Sequence, residues 1–432
     1  MTASRAPVRQ SSVRAHNLAL VLQTVANSAD RPSRAAIAAG TGLTRATVSA
    51  LVDDLIAGGL LTEHDPAPRT GAGRPAAGLA LNANGPAGLG LEINVDYLAA
   101  CVVDLAGVVR FRIVSHGDQR PLSAAGGPGS VAGAGEPVSA AGAGEPGSVA
   151  GADGPVSAAG AGEPVSAAGA GEPGSVAGAG EPVSAAGRPG SAADSLRALD
   201  ALAARARAAA AAEGLTLAGA ALAVPGLVAA DGLVRVAPNL GWQDVAVPAL
   251  LPGLADLPLI VDNEANLAAL ASSEGEPTYL YVSGEIGIGA GIVLDGELYR
   301  GVRGWSGEIG HVTVFPDGRP CRCGANGCLE QYAGQEHVEA DAELAASALG
   351  IALAAVVNLL DIGVIVLGGA YAPQFARLRG GIEAELGRRV LTSGLAPIKL
   401  RAAALGADAA MRGAADAVIQ SVRDDPAAWL SR

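Results

Sequence analysis

His311 stands upstream of Cys321, Cys323 and Cys328, three of the four cysteines in the chain, and the cysteines fall in the run Cys-Arg-Cys-Gly-Ala-Asn-Gly-Cys. One imidazole and three thiolates make a closed tetrahedral donor set of the kind that holds structural zinc, and the glycines allow the tight turn that converging thiolates need. Ordinary loop cysteines would not gather this closely in a 432-residue, cysteine-poor chain. The expected cofactor is therefore a structural Zn2+ that fixes a loop rather than doing chemistry. Cys101, in the apolar run Leu98 to Val103, reads as a small core residue. With three cysteines assigned to metal there is no disulfide framework, which suits a reducing, cytoplasmic setting.

A second set of chemistry-bearing residues lies near the N-terminus. Thr44, Arg45, Thr47 and Ser49 open a segment whose Val48, Leu51, Val52, Leu55 and Ile56 form an apolar stripe at helical spacing. The hydroxyls and the guanidinium lie outside that stripe, near the end where a recognition helix meets base edges, and Ala46 and Ala50 permit close approach to a groove. The elements that must position them are an upstream helix through Leu18, Val21, Leu22 and Val25, and a second helix capped by Ser33 and running through Ala39. A turn at Thr41-Gly42-Leu43 follows, and Thr44 caps the third helix. Leu60 to Glu63 and Leu79 to Leu81 pair as a wing whose tip carries Arg69 and Gly73-Arg74-Pro75, with Arg74 placed for phosphate or minor-groove contact. Charge agrees: residues 1 to 52 hold six arginines and one aspartate, a balance of +5, leaving −18 for the rest of a chain whose net charge is −13. A basic head on an acidic body excludes a uniform coat for nucleic acid and fits a site-specific binder of double-stranded DNA.

The metal residues sit inside a longer string: Gly287-Ile288-Gly289-Ala290-Gly291, then Gly301, then Gly307-Glu308-Ile309-Gly310-His311, then Cys321 to Cys328 leading into Leu329-Glu330. This string resembles the ROK family (repressors, open reading frames and sugar kinases), and the resemblance covers most of the chain outside one insert. The glycine signature departs from the family at Gly284, where an aliphatic residue is usual. The resemblance implies an α/β, actin-like (ribonuclease-H-like) two-lobed sugar-kinase fold behind the winged helix-turn-helix. It implies a sugar pocket formed by Asn263, Glu264, Glu308, His311 and Glu330, with Asn239 in Pro238-Asn239-Leu240-Gly241-Trp242 as an addition. His311 would then serve twice, one ring nitrogen on zinc and the other toward ligand.

Two departures bear on phosphoryl transfer. Asn263-Glu264-Ala265-Asn266 resembles the family's Asn-Asp-Ala-Asn, whose aspartate is the base, but glutamate stands here and one extra methylene displaces the carboxylate. In place of the Asp-x-Gly-Gly-Thr phosphate turn the chain has Glu92-Ile93-Asn94-Val95-Asp96, with no glycine for the cradle.

Domains are expected at 1–82 for the DNA-binding head and 83–432 for the sensor. A disordered Ala/Gly/Pro/Glu insert is expected at 118–194, where Gly-Glu-Pro recurs every nine residues at Glu136, Glu145, Glu163, Glu172 and Glu181. Strands are expected at 88–94, 97–104, 108–114, 220–224, 259–261, 279–283, 288–294 and 364–367, and helices at 195–212 and 351–360. Half the residues are hydrophobic and 16% charged, which fits a globular chain, and no stretch reads as long and apolar enough for a membrane span. The expected protein is a sugar-responsive, homodimeric repressor of carbohydrate uptake or catabolism genes. Two alternatives stay open: an ATP-dependent sugar kinase with an appended DNA-binding head, and a repressor controlled by a protein partner.

Overall fold

The computed structural model describes residues 10–64, 77–120, 191–229, 231–284 and 287–432. Three helices open it: α1 (Gln10–Ala26), α2 (Arg34–Thr41) and α3 (Arg45–Ala57). Ser33 caps α2 by accepting from the Ala36 N–H, and Gly42 ends it with φ 74°. Thr44 caps α3 by accepting from the Thr47 N–H. The chain turns 119° between α2 and α3, the angle of a helix-turn-helix. Helix α2 continues two residues beyond the expected Ala39, because Thr41 Oγ1 bonds the Ile37 carbonyl. Strands β1 (Leu61–His64) and β2 (Gly78–Leu81) pair antiparallel as the wing, with Leu61 opposite Leu81. The wing tip, with Arg69 and Arg74, lies outside the described residues.

The first lobe is a five-stranded sheet. Its strands are β3 (Pro86–Ile93), β4 (Tyr97–Asp104), β5 (Val109–His116), β6 (Thr216–Val224) and, after the short strands β7 (Leu227–Val228), β8 (Leu233–Ala237) and β9 (Trp242–Ala246), β10 (Leu259–Asn263). The order β10-β6-β3-β4-β5 has β3, β4 and β5 as an antiparallel meander and β6 and β10 added in parallel. Helix α4 (Ala192–Ala212) covers one face of this sheet. It begins three residues before the expected Ser195, because Ser191 caps it by accepting from the Asp194 N–H. Ser195 Oγ donates to Gln119 Oε1 at 2.8 Å, so the chain on either side of residues 121–190 is joined at one point. The repeats between them lie outside the described residues.

Helix α5 (Glu264–Leu270) leads to the second lobe, whose sheet has the order β13-β12-β11-β14-β15. These strands are β11 (Tyr279–Gly284), β12 (Ile288–Leu294), β13 (Glu297–Leu298), β14 (Val364–Gly369) and β15 (Lys399–Ala402). Between β13 and β14 come α6 (Glu330–Ala333), α7 (Gln335–Ala340) and α8 (Ala342–Leu360); α9 (Tyr371–Arg389) follows β14. The two five-stranded sheets make the actin-like, ribonuclease-H-like fold that the family resemblance implied.

Helix α8 corrects two expectations. It starts at Ala342, nine residues before the expected Ile351, because the Asp341 carboxylate caps it through the Leu344 N–H. It also has the length and apolarity of a membrane span, with a mean hydropathy of 1.9, although half of that stretch is buried in the second lobe. The sequence reading missed this because Ser347 and Gly350 interrupt the run at its centre.

The C-terminal helices α10 (Ala409–Asp424) and α11 (Pro426–Leu430) tie the parts together. Helix α10 lies between the first-lobe sheet and α5, and α11 reaches the head, where Trp429 Nε1 donates to the Gly58 carbonyl at 3.0 Å. The apolar core of the head, including Leu22, Ile37, Val52 and Leu55, is consequently continuous with Ala414, Val418 and Ile419 of α10.

Candidate effector pocket, metal centre and DNA-reading face

Strand β10 ends at Asn263, which caps α5: its Oδ1 accepts from the Ala265 N–H at 2.8 Å and the Asn266 N–H at 3.3 Å. Its Nδ2 donates to the Gly226 carbonyl and, at 2.7 Å, to Glu264 Oε2. Asn263 thus spends its own bonds on aiming the Glu264 carboxylate. One residue earlier, buried Asp262 accepts from Asn266 Nδ2 at 2.9 Å and from Arg300 Nε at 3.0 Å, fastening the loop after β13 to the end of β10. Sequence reasoning overlooked Asp262 and Arg300; a carboxylate beside the Asn-Glu-Ala-Asn run was the available signal.

The start of β12 is the point around which the expected sugar-binding residues gather. A methyl carbon placed on Gly287 would lie 3.2 Å from Glu330 Oε2 and 3.9 Å from Asn239 Nδ2, and one on Gly289 would lie 3.8 Å from Glu264 Oε1. Glu308 precedes the short turn Ile309–His311 and His311 ends it, and Gly310 within it rests on the backbone of Ile288. Gly307, at φ 97°, sits so close to the Ala290 carbonyl that no side chain would fit, and its own carbonyl accepts from the Ala290 N–H at 2.9 Å. Asn239, Glu264, Glu308, His311 and Glu330 are brought to one edge of β12, with Asn263 behind them. Glu308 is exposed on the accessible surface, with other protein atoms crowded around its carboxylate. Desolvation there, first, and the Glu330 carboxylate raise its pKa above the ordinary value, against the opposing pull of His311. Carboxylates, an amide and an imidazole gathered around Gly287 and Gly289 are the donors and acceptors that a polyhydroxylated ligand requires.

His311, Cys321, Cys323 and Cys328 present one ligand atom each within 4.8 Å of one another. His311 Nδ1 is 3.8 Å from Cys321 Sγ, and Cys323 Sγ is 3.6 Å from Cys328 Sγ. Metal–donor bonds of about 2.0–2.3 Å in a tetrahedron imply donor separations of about 3.5–3.8 Å, so these residues fit a divalent metal of zinc's preferences. The thiol of Cys328 is pushed up to about 12 by burial and by its two neighbouring sulfurs, a repulsion that a bound cation would reverse. Bridges between Thr313 and Cys328 and between Pro320 and Asn326 shape the loop. Gln331 Nε2 points to Cys321 Sγ at 3.7 Å, and Tyr332 OH accepts from the Arg319 N–H at 2.7 Å. Because Gln331 and Tyr332 follow Glu330 in α6, the metal loop and the pocket carboxylate share one support. His311 uses Nδ1 on the thiolate side, which leaves Nε2 as the nitrogen for a ligand.

In the head, Thr44 and Arg45 are exposed and Thr47 and Ser49 half-buried. Thr44 Oγ1 and Thr47 Oγ1 bond each other at 2.8 Å, and the Ser49 carbonyl accepts from Arg34. Among the described residues Arg45 makes no ion pair. The expected basic surplus is smaller than the count to residue 52 suggested. Asp53 and Asp54 come next, Arg34 binds Asp53 at 2.6 Å, and Arg14 pairs with Asp54.

The β3–β4 turn, Asn94-Val95-Asp96, contains no glycine. Glu92 is 3% exposed; its Oε1 accepts from Tyr97 OH at 2.6 Å and its Oε2 from the Met411 N–H at 3.0 Å, so it anchors α10. Val95 is buried as well.

The ROK family model matches residues 189–347. A putative xylose repressor from Caldicellulosiruptor sp. (strain Rt8B.4) is 45% identical over 120 residues, which are 26% of this chain and 30% of that protein. A glucokinase from Halalkalibacterium halodurans is 43% identical over 124 residues, 27% of this chain and 38% of that protein. The chain thus spans about a third of the length of the curated relatives it matches. A crystal structure described as a ROK family transcriptional regulator, homolog of the E. coli MLC protein, has a TM-score of 0.70 at 20% identity and covers 97% of this chain and 100% of its own. A ROK hexokinase from Thermus thermophilus has a TM-score of 0.52 at 25% identity, covering 78% of this chain and 99% of its own.

Proposed function

The chain belongs to the ROK family, and from that premise we propose that it is a sugar-responsive transcriptional repressor of carbohydrate uptake or catabolism genes. It binds a near-palindromic DNA operator as a cytoplasmic homodimer and carries a structural Zn2+ on His311, Cys321, Cys323 and Cys328. The domains are the winged helix-turn-helix at 1–82 and the sensor at 83–432, interrupted by the repeat insert. Thr44, Arg45, Thr47, Ser49 and Arg74 are assigned to DNA binding. Asn239, Glu264, Glu308, His311 and Glu330 face the sugar, with Asn263 orienting Glu264.

One observation carries this reading: a helix-turn-helix with an exposed Arg45 is packed through α11 and α10 onto the lobes that hold the pocket. A ligand that changes how the lobes sit is therefore mechanically connected to the head, and it shifts the equilibrium by its difference in affinity between the two arrangements. His311, Cys321, Cys323 and Cys328 would hold the metal, which would fix the loop, and the chain's own Gln331 and Tyr332 connect that loop to Glu330. Loss of phosphoryl transfer is supported by Glu92, whose oxygens are both committed inside the fold, and by Val95 in place of a phosphate-cradling glycine.

The similarity to a glucokinase favours one other reading, a sugar kinase with a DNA-binding head. Incubation of the zinc-loaded protein with ATP and a panel of hexoses and pentoses separates the two. The repressor reading expects ligand-induced thermal stabilisation without ADP release, and steady turnover would overturn it.

A further inference from the structure

We propose that Arg300 is a positioning residue of the sensor: its pair with Asp262 locks the point where the chain crosses between the lobes, and so fixes Glu264 and Glu308 against each other across one ligand. The inference rests on the sugar-sensor reading above and adds to it a residue that acts without touching the sugar. Strand β10 belongs to the first-lobe sheet and runs at Asn263 straight into α5. Helix α5 packs closely on β12 of the second lobe: a methyl carbon on Gly291 would lie 2.4 Å from Ala269 Cβ, and one on Gly289 3.0 Å from Ala265 Cβ. Residues 262–264 are therefore the crossing. Asp262 Oδ1 accepts from the Asn263 N–H at 2.8 Å and from Asn266 Nδ2 at 2.9 Å, so one oxygen holds the first turn of α5. Its Oδ2 accepts from Arg300 Nε at 3.0 Å and from Arg300 Nη2 at 2.8 Å. A carboxylate only 6% exposed needs its charge balanced, and Arg300 is the cation that balances it.

Arg300 is also built into the mount of Glu308. The segment from Tyr299 to Gly307 leaves β12 and returns to it: the Tyr299 N–H donates to the Ile292 carbonyl at 2.8 Å, and the Gly307 carbonyl accepts from the Ala290 N–H at 2.9 Å. Ser306 closes the segment on itself, its N–H donating to the Arg300 carbonyl at 3.2 Å and its hydroxyl to the Tyr299 carbonyl. A loop clasped in this way is held as one piece, and Glu308 follows it directly. Among the described residues, Arg300 is the member of this loop whose side chain bonds to β10. Asp262 stands two residues before Glu264 and Arg300 eight before Glu308, so their pair braces the supports of both pocket carboxylates. Because the charge on Asp262 is costly to bury unless Arg300 is in place, the pair favours this arrangement before any ligand arrives, and preorganisation of that kind is gained as affinity.

The test titrates the full zinc-loaded chain by isothermal calorimetry with neutral sugars: D-glucose, D-mannose, D-xylose and L-arabinose. Arg300→Met keeps the apolar stem and removes the charge, and the Kd for whichever sugar binds wild type should rise by about 10-fold or more. Zinc content, circular dichroism and operator affinity without sugar should stay as in wild type. At saturating sugar the variant should still change operator affinity by the wild-type factor, because the route to the head runs through α10 and α11. Arg300→Lys restores the charge without the forked pair of bonds and should recover part of the affinity. Adding Asp262→Asn to Arg300→Met should weaken sugar binding by no more than about twofold further, since both changes break one contact. If Arg300→Met does not fold, Arg300→Lys decides in its place: weakened sugar binding at unchanged zinc content supports the role, and wild-type binding refutes it. An Arg300→Met protein that binds sugar like wild type, a lysine that recovers nothing, or costs that add in the double variant would overturn the role of Arg300 alone. A wild type that binds no sugar of the panel overturns the sensor reading and this inference together.

Discussion

Adding one methyl group at Gly284 should be among the more costly small substitutions in the second lobe. The new carbon would lie 2.1 Å from Tyr371 Cζ and 2.5 and 2.6 Å from its two Cε atoms, because the ring lies flat against the Gly284 backbone. Carbon atoms rest at about 3.5–4.0 Å, so the ring or the strand must retreat by roughly 1.5 Å. Tyr371 is fully buried and its hydroxyl donates to the Ala333 carbonyl at 2.7 Å, so the ring cannot retreat without losing that bond. Overpacking costs about 1–3 kcal/mol and the lost bond about 1 kcal/mol, so Gly284→Ala should destabilise by about 2–4 kcal/mol. Tyr371→Leu alone should cost about 2–4 kcal/mol through lost burial, but in the Gly284→Ala background the two costs should overlap by about 1–3 kcal/mol. Urea unfolding of the four zinc-saturated proteins, compared at equal m, measures this coupling. Additive costs, or a Gly284→Ala protein within about 0.5 kcal/mol of wild type, would refute the steric reasoning. The same contact explains why glycine stands where the family carries an aliphatic residue: Tyr371 occupies the volume that a side chain would use.

Other consequences are equally measurable. Cys101 is held at about 12 by burial, first of all, so at pH 8 its thiol is almost entirely protonated. Native zinc-loaded protein should then show no thiol reactive to Ellman's reagent, three after chelation and four after unfolding, and Cys323→Ser should lose its zinc and weaken sugar binding through Glu330. Arg45→Ala and Thr47→Ala should reduce operator discrimination by about 1–3 kcal/mol per lost base contact, whereas Arg74→Ala should weaken specific and nonspecific binding alike; footprints with one unchanged sequence preference in all three would contradict this. Replacing residues 125–188 by a short Gly-Ser link should leave the thermal transition and operator affinity nearly unchanged, since loop length carries little free energy, and a collapsed transition would show that the segment packs.

Much of this architecture was legible because its signals are local. Ser33, Gly42 and Thr44 punctuate the head, alternation marks β3 to β5, and the cysteine spacing gives the metal set with no structure at all. Non-local contacts were invisible to that reading. Helices α10 and α11 have no distinctive motif, and only packing reveals that Met411 receives Glu92 and that Trp429 reaches Gly58. Asn263 looked like a ligand contact, but its bonds are spent on capping α5 and holding Glu264, a division that depends on where the Gly226 carbonyl lies. The basic head appeared more basic than it is because Asp53 and Asp54 fall just beyond the stretch that was counted, and their pairing with Arg34 and Arg14 is a tertiary event.

Operator affinity measured by fluorescence anisotropy, with and without the sugar that gives the largest thermal shift, tests the central claim most directly when wild type is compared with Glu308→Gln. Glu308 lies at the pocket beside Glu330 and far along the chain from the head, so the substitution should leave operator binding without sugar intact and abolish the sugar response. In wild type, linkage requires operator to change sugar affinity by the same factor by which sugar changes operator affinity. A Glu308→Gln protein that still responds at the wild-type sugar concentration, or a wild type whose two factors differ, would contradict the assignment of this pocket as the sensor.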